Sequence, residues 1–134
     1  MIVVDTNVIA YFRLPGPLTE AAEQLLAVDA DWTAPRVWRS EFRNVLAGAV
    51  KRKALSLERV VAIARETERQ FNGREYSVDT AHVLMLADVS GCSSYDCEFV
   101  ALARDLGVPL VTNDRAVLKA FPRVAIPLDR YRAT

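Results

Sequence analysis

Two kinds of hydrophobic pattern alternate along this chain. Short, continuous apolar runs rich in β-branched residues, such as Ile2-Val3-Val4 and Leu110-Val111, read as strands covered on both faces. Longer stretches repeat apolar residues every three or four positions, as amphipathic helices do. Together they predict strands at about residues 2 to 5, 31 to 34, 75 to 78, 109 to 112 and 124 to 126. Helices are predicted at about 17 to 28, 35 to 52, 56 to 71, 80 to 89, 94 to 106 and 113 to 120. The punctuation agrees: Pro15-Gly16-Pro17 breaks the chain before the first of these helices, and Ser56 with Glu58 opens the third. Asn72-Gly73 closes that helix, and Gly107 closes the one before the fourth strand. The segment from Tyr11 to Leu18 has no pattern that assigns it a conformation. Strands alternating with helices imply an α/β fold with a parallel sheet covered on both sides, and 134 residues make one domain, taken here as 1–134.

Four carboxylates interrupt this pattern where folding alone does not call for them. Asp5 and Asp114 follow the first and fourth apolar runs, in Asp5-Thr6-Asn7 and Thr112-Asn113-Asp114. Ligands of open α/β sheets bind outside the carboxyl ends of the strands, so both acids would enter one crevice if these strands are neighbours. Glu41 shares a helix face with Val37 and Val45. Asp96 stands three and four residues before Phe99 and Val100, on the apolar side of its helix, for which Ser94 reads as the cap. A carboxylate turned toward a core costs several kcal/mol unless a cation or hydrogen-bond donors meet it. Each acid has an ordinary reading as a turn residue, rim ion pair, first-turn acid or N-cap. The four together point to a cation, with Thr6 and Asn7 able to hydrogen-bond a ligated carboxylate.

Composition narrows the chemistry. Seventeen basic residues cancel seventeen acidic ones, so nucleic-acid binding would have to be local, for instance through Arg36, Arg39, Arg43, Lys51, Arg52 and Lys53 around and beyond Glu41. Tyr11, Phe12 and Arg13 could also stack on or clamp single-stranded bases, or else pack beneath their loop. Cys92 and Cys97 form neither a CxxC pair nor a disulfide framework. His82 is the sole histidine and sits in an apolar helical run, which argues against zinc and against a Ser-His-Asp constellation. Oxygen ligands favour magnesium or manganese. No run reaches the roughly 18 apolar residues of a membrane span and no signal peptide precedes the first strand, so a cytoplasmic protein is expected.

The residues quoted above resemble a known family. Ile-Val-Val-Asp-Thr-Asn-Val-Ile at the start, Ser-Glu-Phe-Arg-Asn-Val-Leu around Glu41, Ser-Tyr-Asp-Cys-Glu-Phe-Val-Ala-Leu-Ala around Asp96 and Leu-Val-Thr-Asn-Asp ending at Asp114 resemble the PIN domain, most closely the VapC-type toxins of toxin-antitoxin pairs. The resemblance spans essentially the whole chain. It implies a parallel sheet of about five strands in the order 3-2-1-4-5. It further implies an endoribonuclease in which Asp5, Glu41, Asp96 and Asp114 gather around one or two Mg2+ or Mn2+ ions, supported by Thr6, Asn7, Ser94 and Thr112. An RNA substrate, a cognate antitoxin and a homodimer come with it. The apolar stripes containing Leu25, Leu26, Val60, Ile63 and Ala64 are the candidate dimer surface unless the monomer buries them, and Arg39, Arg43 and Lys51 would hold the phosphate backbone at its rim. Two other functions stay open: a binding module that captures a basic peptide in the acidic pocket, and a PIN-like nuclease acting on DNA. A phosphatase with an Asp nucleophile is disfavoured, because Asn7 stands where that chemistry wants a second aspartate.

Overall fold

The computed structural model describes residues 1–132; the last two residues of the expected domain lie outside the described part. Its centre is a five-stranded, all-parallel sheet formed by β1 (Ile2–Val4), β2 (Trp32–Pro35), β3 (Glu75–Tyr76), β4 (Leu110–Val111) and β5 (Ala125–Ile126). The order is β3-β2-β1-β4-β5, as the resemblance implied. All three residues of β1 are sealed from solvent, which explains why its sequence is a continuous apolar run rather than an alternating one. Val4 pairs in register with Val111 of β4. The chain leaves β1 toward β2 on one side and has β4 on the other, so the switch point of the sheet lies between the residues that follow β1 and β4.

Seven α-helices surround this sheet among the described residues: α1 (Thr6–Arg13), α2 (Thr19–Val28), α3 (Trp38–Lys51), α4 (Leu57–Gln70), α5 (Thr80–Ser90), α6 (Ser94–Leu106) and α7 (Arg115–Ala120). A 3-10 turn, Leu128–Arg130, follows β5. Helix α6 lies across β1, β2 and β4 and buries every side chain from Phe99 to Ala103, which fixes its N-terminal turn over the sheet's carboxyl edge.

Three expectations change. The first helix begins at Thr6, directly after β1, in a stretch that was given no helix. Val8 and Ile9 are fully buried and Ala10, Tyr11 and Phe12 pack against the same core; at eight residues the helix is too short for its apolar side to recur as a readable stripe. Helix α6 is capped by Ser93, whose Oγ accepts from the Asp96 N–H at 3.1 Å, while Ser94 is its exposed first residue. Leu25, Val60 and Ile63 are buried within the monomer, with Leu26 and Ala64 packed against the same core. The exposed large apolar side chains are other ones, among them Leu84 (58% accessible) and Val89 (72%) on α5 and Leu57 (68%) and Val61 on α4.

Candidate active site

The site is built on the two strand ends at the switch point. Asp5 ends β1 and caps α1, and its backbone N–H donates to the Val111 carbonyl at 3.0 Å. Only 7% of the residue is exposed. Its carboxylate accepts from the Thr6 N–H and from the Thr112 hydroxyl, each at 2.7 Å. Burial outweighs those two donors, and the neighbouring charges of Glu41 and Asp96 add to it, so the carboxyl is pushed up from 3.8 to about 6.

Thr112, fully buried at the end of β4, ties the two loops together. Besides donating to Asp5, its Oγ accepts from the Asp114 N–H at 3.0 Å and from Asn7 Nδ2 at 3.3 Å. Asn7 Oδ1 in turn accepts from the Asn113 N–H at 3.4 Å, and Asn113 Oδ1 accepts from the Leu128 N–H at 3.0 Å. Asp114 caps α7 by accepting the Val117 N–H at 3.0 Å, which uses one lone pair and leaves the rest of the carboxylate open. The polar residues beside the acids thus set where the carboxylates stand.

Glu41 and Asp96 arrive from helices. Glu41 sits in the first turn of α3 and accepts the Thr6 hydroxyl at 2.7 Å, which joins it to the Asp5 loop. Burial raises its carboxyl, as do the charges of Asp96 and Glu98. Asp96, in the first turn of α6, is raised by burial and by Asp114. Each of the four expected acids is therefore linked electrostatically to another, and among the described residues none lies within ion-pair distance of a basic side chain. As the side chains stand, no three of the described His, Cys, Asp and Glu side chains converge closely enough to hold an ion. The donor set nevertheless fits a hard divalent cation, being all carboxylate oxygen, and such an ion would relieve both the repulsion and the burial of Asp5.

Glu98 was not among the expected site residues. It lies two positions beyond Asp96, on a different side of α6, and only the fold brings its charge to bear on Glu41 of α3. No local pattern announces it.

The basic residues divide. Arg13, at the far end of α1 and about 10 Å along the helix from Thr6, holds Gln70 at 2.6 Å and Glu66 at 3.5 Å on α4. Arg39 forms a fork on Glu75 at 2.7 and 2.9 Å and reaches Glu68 at 3.1 Å. Both guanidiniums are engaged by the fold rather than offered to RNA, through carboxylates or an amide from distant elements, although Arg13 Nε is buried without a partner. Phe12 meets Trp32 in a T-shaped contact at 5.4 Å and has the Arg13 guanidinium over its ring at 5.1 Å, so its ring too is engaged by the fold. Arg43 and Lys51 remain exposed, Arg43 touching Glu68 only at 3.9 Å. His82 pairs with Asp105 at 3.2 Å, joining α5 to α6 and taking no part in the site.

The sequence matches the PIN domain over residues 2–126. No curated protein gives a sequence match. The fold is similar to that of PAE2754 from Pyrobaculum aerophilum, at a TM-score of 0.77 and 17% identity over 96% of this chain and 90% of that one. It is also similar to FitAcB from Neisseria gonorrhoeae, at a TM-score of 0.73 and 20% identity over 98% and 100%. A toxin-antitoxin complex from Klebsiella pneumoniae aligns at 0.66 and 15% identity over 99% and 100%.

Proposed function

This chain belongs to the PIN domain family, and from that premise we propose that it is a magnesium- or manganese-dependent endoribonuclease, the toxin of a toxin-antitoxin pair acting in the cytoplasm. The observation that carries the reading is Asp5: a buried carboxylate held by two hydrogen bonds, raised to about 6, with Glu41 and Asp96 acting on it, Asp114 acting on Asp96, and no basic partner. A carboxylate so placed favours a cation over folding stability.

A divalent ion bound here would acidify a water and polarise the phosphoryl oxygen, which is the chemistry phosphodiester hydrolysis lacks at neutral pH. The chain's own residues do the rest. Asp5, Glu41 and Asp96 are the proposed ligands, with Asp114 completing the set or holding a second ion. The Thr112 and Thr6 hydroxyls orient the Asp5 and Glu41 carboxylates and so fix the ligand geometry. Asn7 holds the β1 and β4 loops in a constant relation. Water rather than the ribose hydroxyl attacks, so the expected products carry a 5'-phosphate and a 3'-hydroxyl.

Substrate is held through the phosphate backbone. Basic residues concentrate between Arg36 and Arg74 although the chain as a whole is neutral. Of these, Arg43 and Lys51 are exposed on α3, Lys51 about 15 Å along the helix from Glu41. An antitoxin partner is supported by the complexes among the structural neighbours. A homodimer is supported by the exposed Met85 and Val89 of α5 and Leu57 and Val61 of α4 rather than by Leu25, Leu26, Val60, Ile63 and Ala64.

The experiment is cleavage of end-labelled single-stranded RNA, with DNA of the same sequence alongside. Magnesium or manganese restores cutting after EDTA and zinc does not. Activity that survives excess EDTA would overturn the metal dependence, and equal cutting of the DNA would move the substrate class.

A further inference from the structure

Beside the acidic crevice lies a cavity of about 270 Å3 whose walls are Val78, Val83 and Leu84, with Thr80 and Ser94 in its lining and Glu98 at one side. Its size is below the roughly 300–1,000 Å3 of pockets for drug-sized ligands and suits a single planar ring system. Three observations mark it as a site. Glu98 lines it and makes no ion pair or hydrogen bond among the described residues. Glu98 and Ser94 each stand two residues from Asp96 on α6, so the cavity adjoins the proposed metal ligands. Leu84 is 58% exposed, an apolar face left uncovered at the cavity wall.

We propose that this cavity receives one nucleobase of the substrate next to the scissile phosphate, and that Glu98 makes it selective for guanine. The inference rests on the ribonuclease reading. Unstacked bases of single-stranded RNA are recognised by apolar or aromatic contacts to their faces and by hydrogen bonds to their Watson–Crick edges. An ionised carboxylate accepts two parallel N–H bonds and donates none. Guanine alone presents two adjacent donors on that edge, N1–H and the N2 amino group. Adenine and cytosine each offer one amino group beside an acceptor that a carboxylate repels, and uracil offers one imide N–H between two carbonyls. Val83 and Leu84 supply the apolar face, and the Thr80 and Ser94 hydroxyls are free of side-chain partners to meet the remaining edge. A basic peptide side chain is the competing occupant. Its charge would be drawn equally by the crevice acids, whereas the apolar walls suit a flat neutral ring.

The test is titration of the whole protein with guanosine 5'-monophosphate, adenosine 5'-monophosphate and arginine amide. Affinity is followed by calorimetry and by NMR shifts of the Val83 and Leu84 methyls; the phosphate common to the nucleotides cancels in the comparison. The expected result is tighter binding of the guanine nucleotide by about ten- to a hundred-fold, the worth of one bidentate base contact. Glu98→Gln should reduce it to the adenine level. Equal binding of the two nucleotides, or preferred binding of arginine amide, overturns the pocket. Because the titration needs no cleavage, it separates the two proposals. A guanine preference in a protein that never cuts RNA leaves the pocket standing and removes the nuclease. RNA cut without guanine at a fixed distance from the break, by a protein indifferent to the nucleotides, does the reverse.

Discussion

Replacing Asp5 by Asn should stabilise the metal-free protein at neutral pH, although it removes a side chain buried at the centre of the site. Moving the Asp5 carboxyl from 3.8 to about 6 corresponds to about 3 kcal/mol against the folded, ionised form, at about 1.4 kcal/mol per pH unit. Asparagine keeps one acceptor for the Thr6 N–H but presents an amide N–H2 to the Thr112 hydroxyl, which forfeits a hydrogen bond to a charged group, a cost of about 1.5–3 kcal/mol. The net is a gain of about 1 kcal/mol at pH 7.5. The sign reverses in acid. Because the folded pKa lies above the unfolded one, the wild type is favoured while Asp5 is protonated, and it loses that advantage as the pH rises from about 4 through 6. At pH 3.5 only the lost hydrogen bond remains and the variant is the less stable. Urea denaturation in EDTA at both pH values, read from the fluorescence of the buried Trp32 and Trp38, measures the difference. Adding magnesium should invert the neutral-pH order, since only the wild type gains a ligated ion. A variant that is weaker by the same amount at pH 3.5 and pH 7.5 would show that Asp5 is not held against its charge.

Other residues give shorter tests. Asp96→Asn should abolish RNA cleavage and cancel the magnesium-induced rise in melting temperature, with the metal-free fold retained in circular dichroism; an undiminished rise removes Asp96 from the ligand set. Arg39→Ala should lower stability by about 1 kcal/mol through loss of the half-buried fork on Glu75, while the salt dependence of RNA binding stays as in the wild type. Arg43→Ala and Lys51→Ala should do the opposite, changing stability by less than about 0.5 kcal/mol and each reducing the salt slope of RNA binding by about one. Gly91→Ala should cost about 1 kcal/mol in urea denaturation, because Gly91 closes α5 at φ +74° with open space around it, leaving the left-handed backbone as the whole cost.

Short-range signals carried much of this fold. The sealed apolar run of β1, the Ser56 cap of α4 and the glycines closing α5 and α6 are decided within a few residues, by side-chain packing on one strand or by hydrogen bonds to the nearest turn. Local signals failed where a segment was short or the choice degenerate. Helix α1 has eight residues with a continuous apolar run from Val8 to Phe12, too short for a helical period to show. Ser93 and Ser94 are adjacent serines, and only the direction in which the chain enters α6 selects the capping one. The sequence by itself determined the parallel α/β plan, its family and four acids out of place in that plan. Tertiary structure decided what those acids meet. The register of Val4 against Val111 brings Thr112 to Asp5 across 107 residues, the fold sets the charge of Glu98 against Glu41, and Glu75 takes Arg39 out of service. Caps and periodicity are enforced by neighbours in the chain, whereas the field at a carboxylate is summed over whatever the fold brings near, and no window of sequence contains that sum.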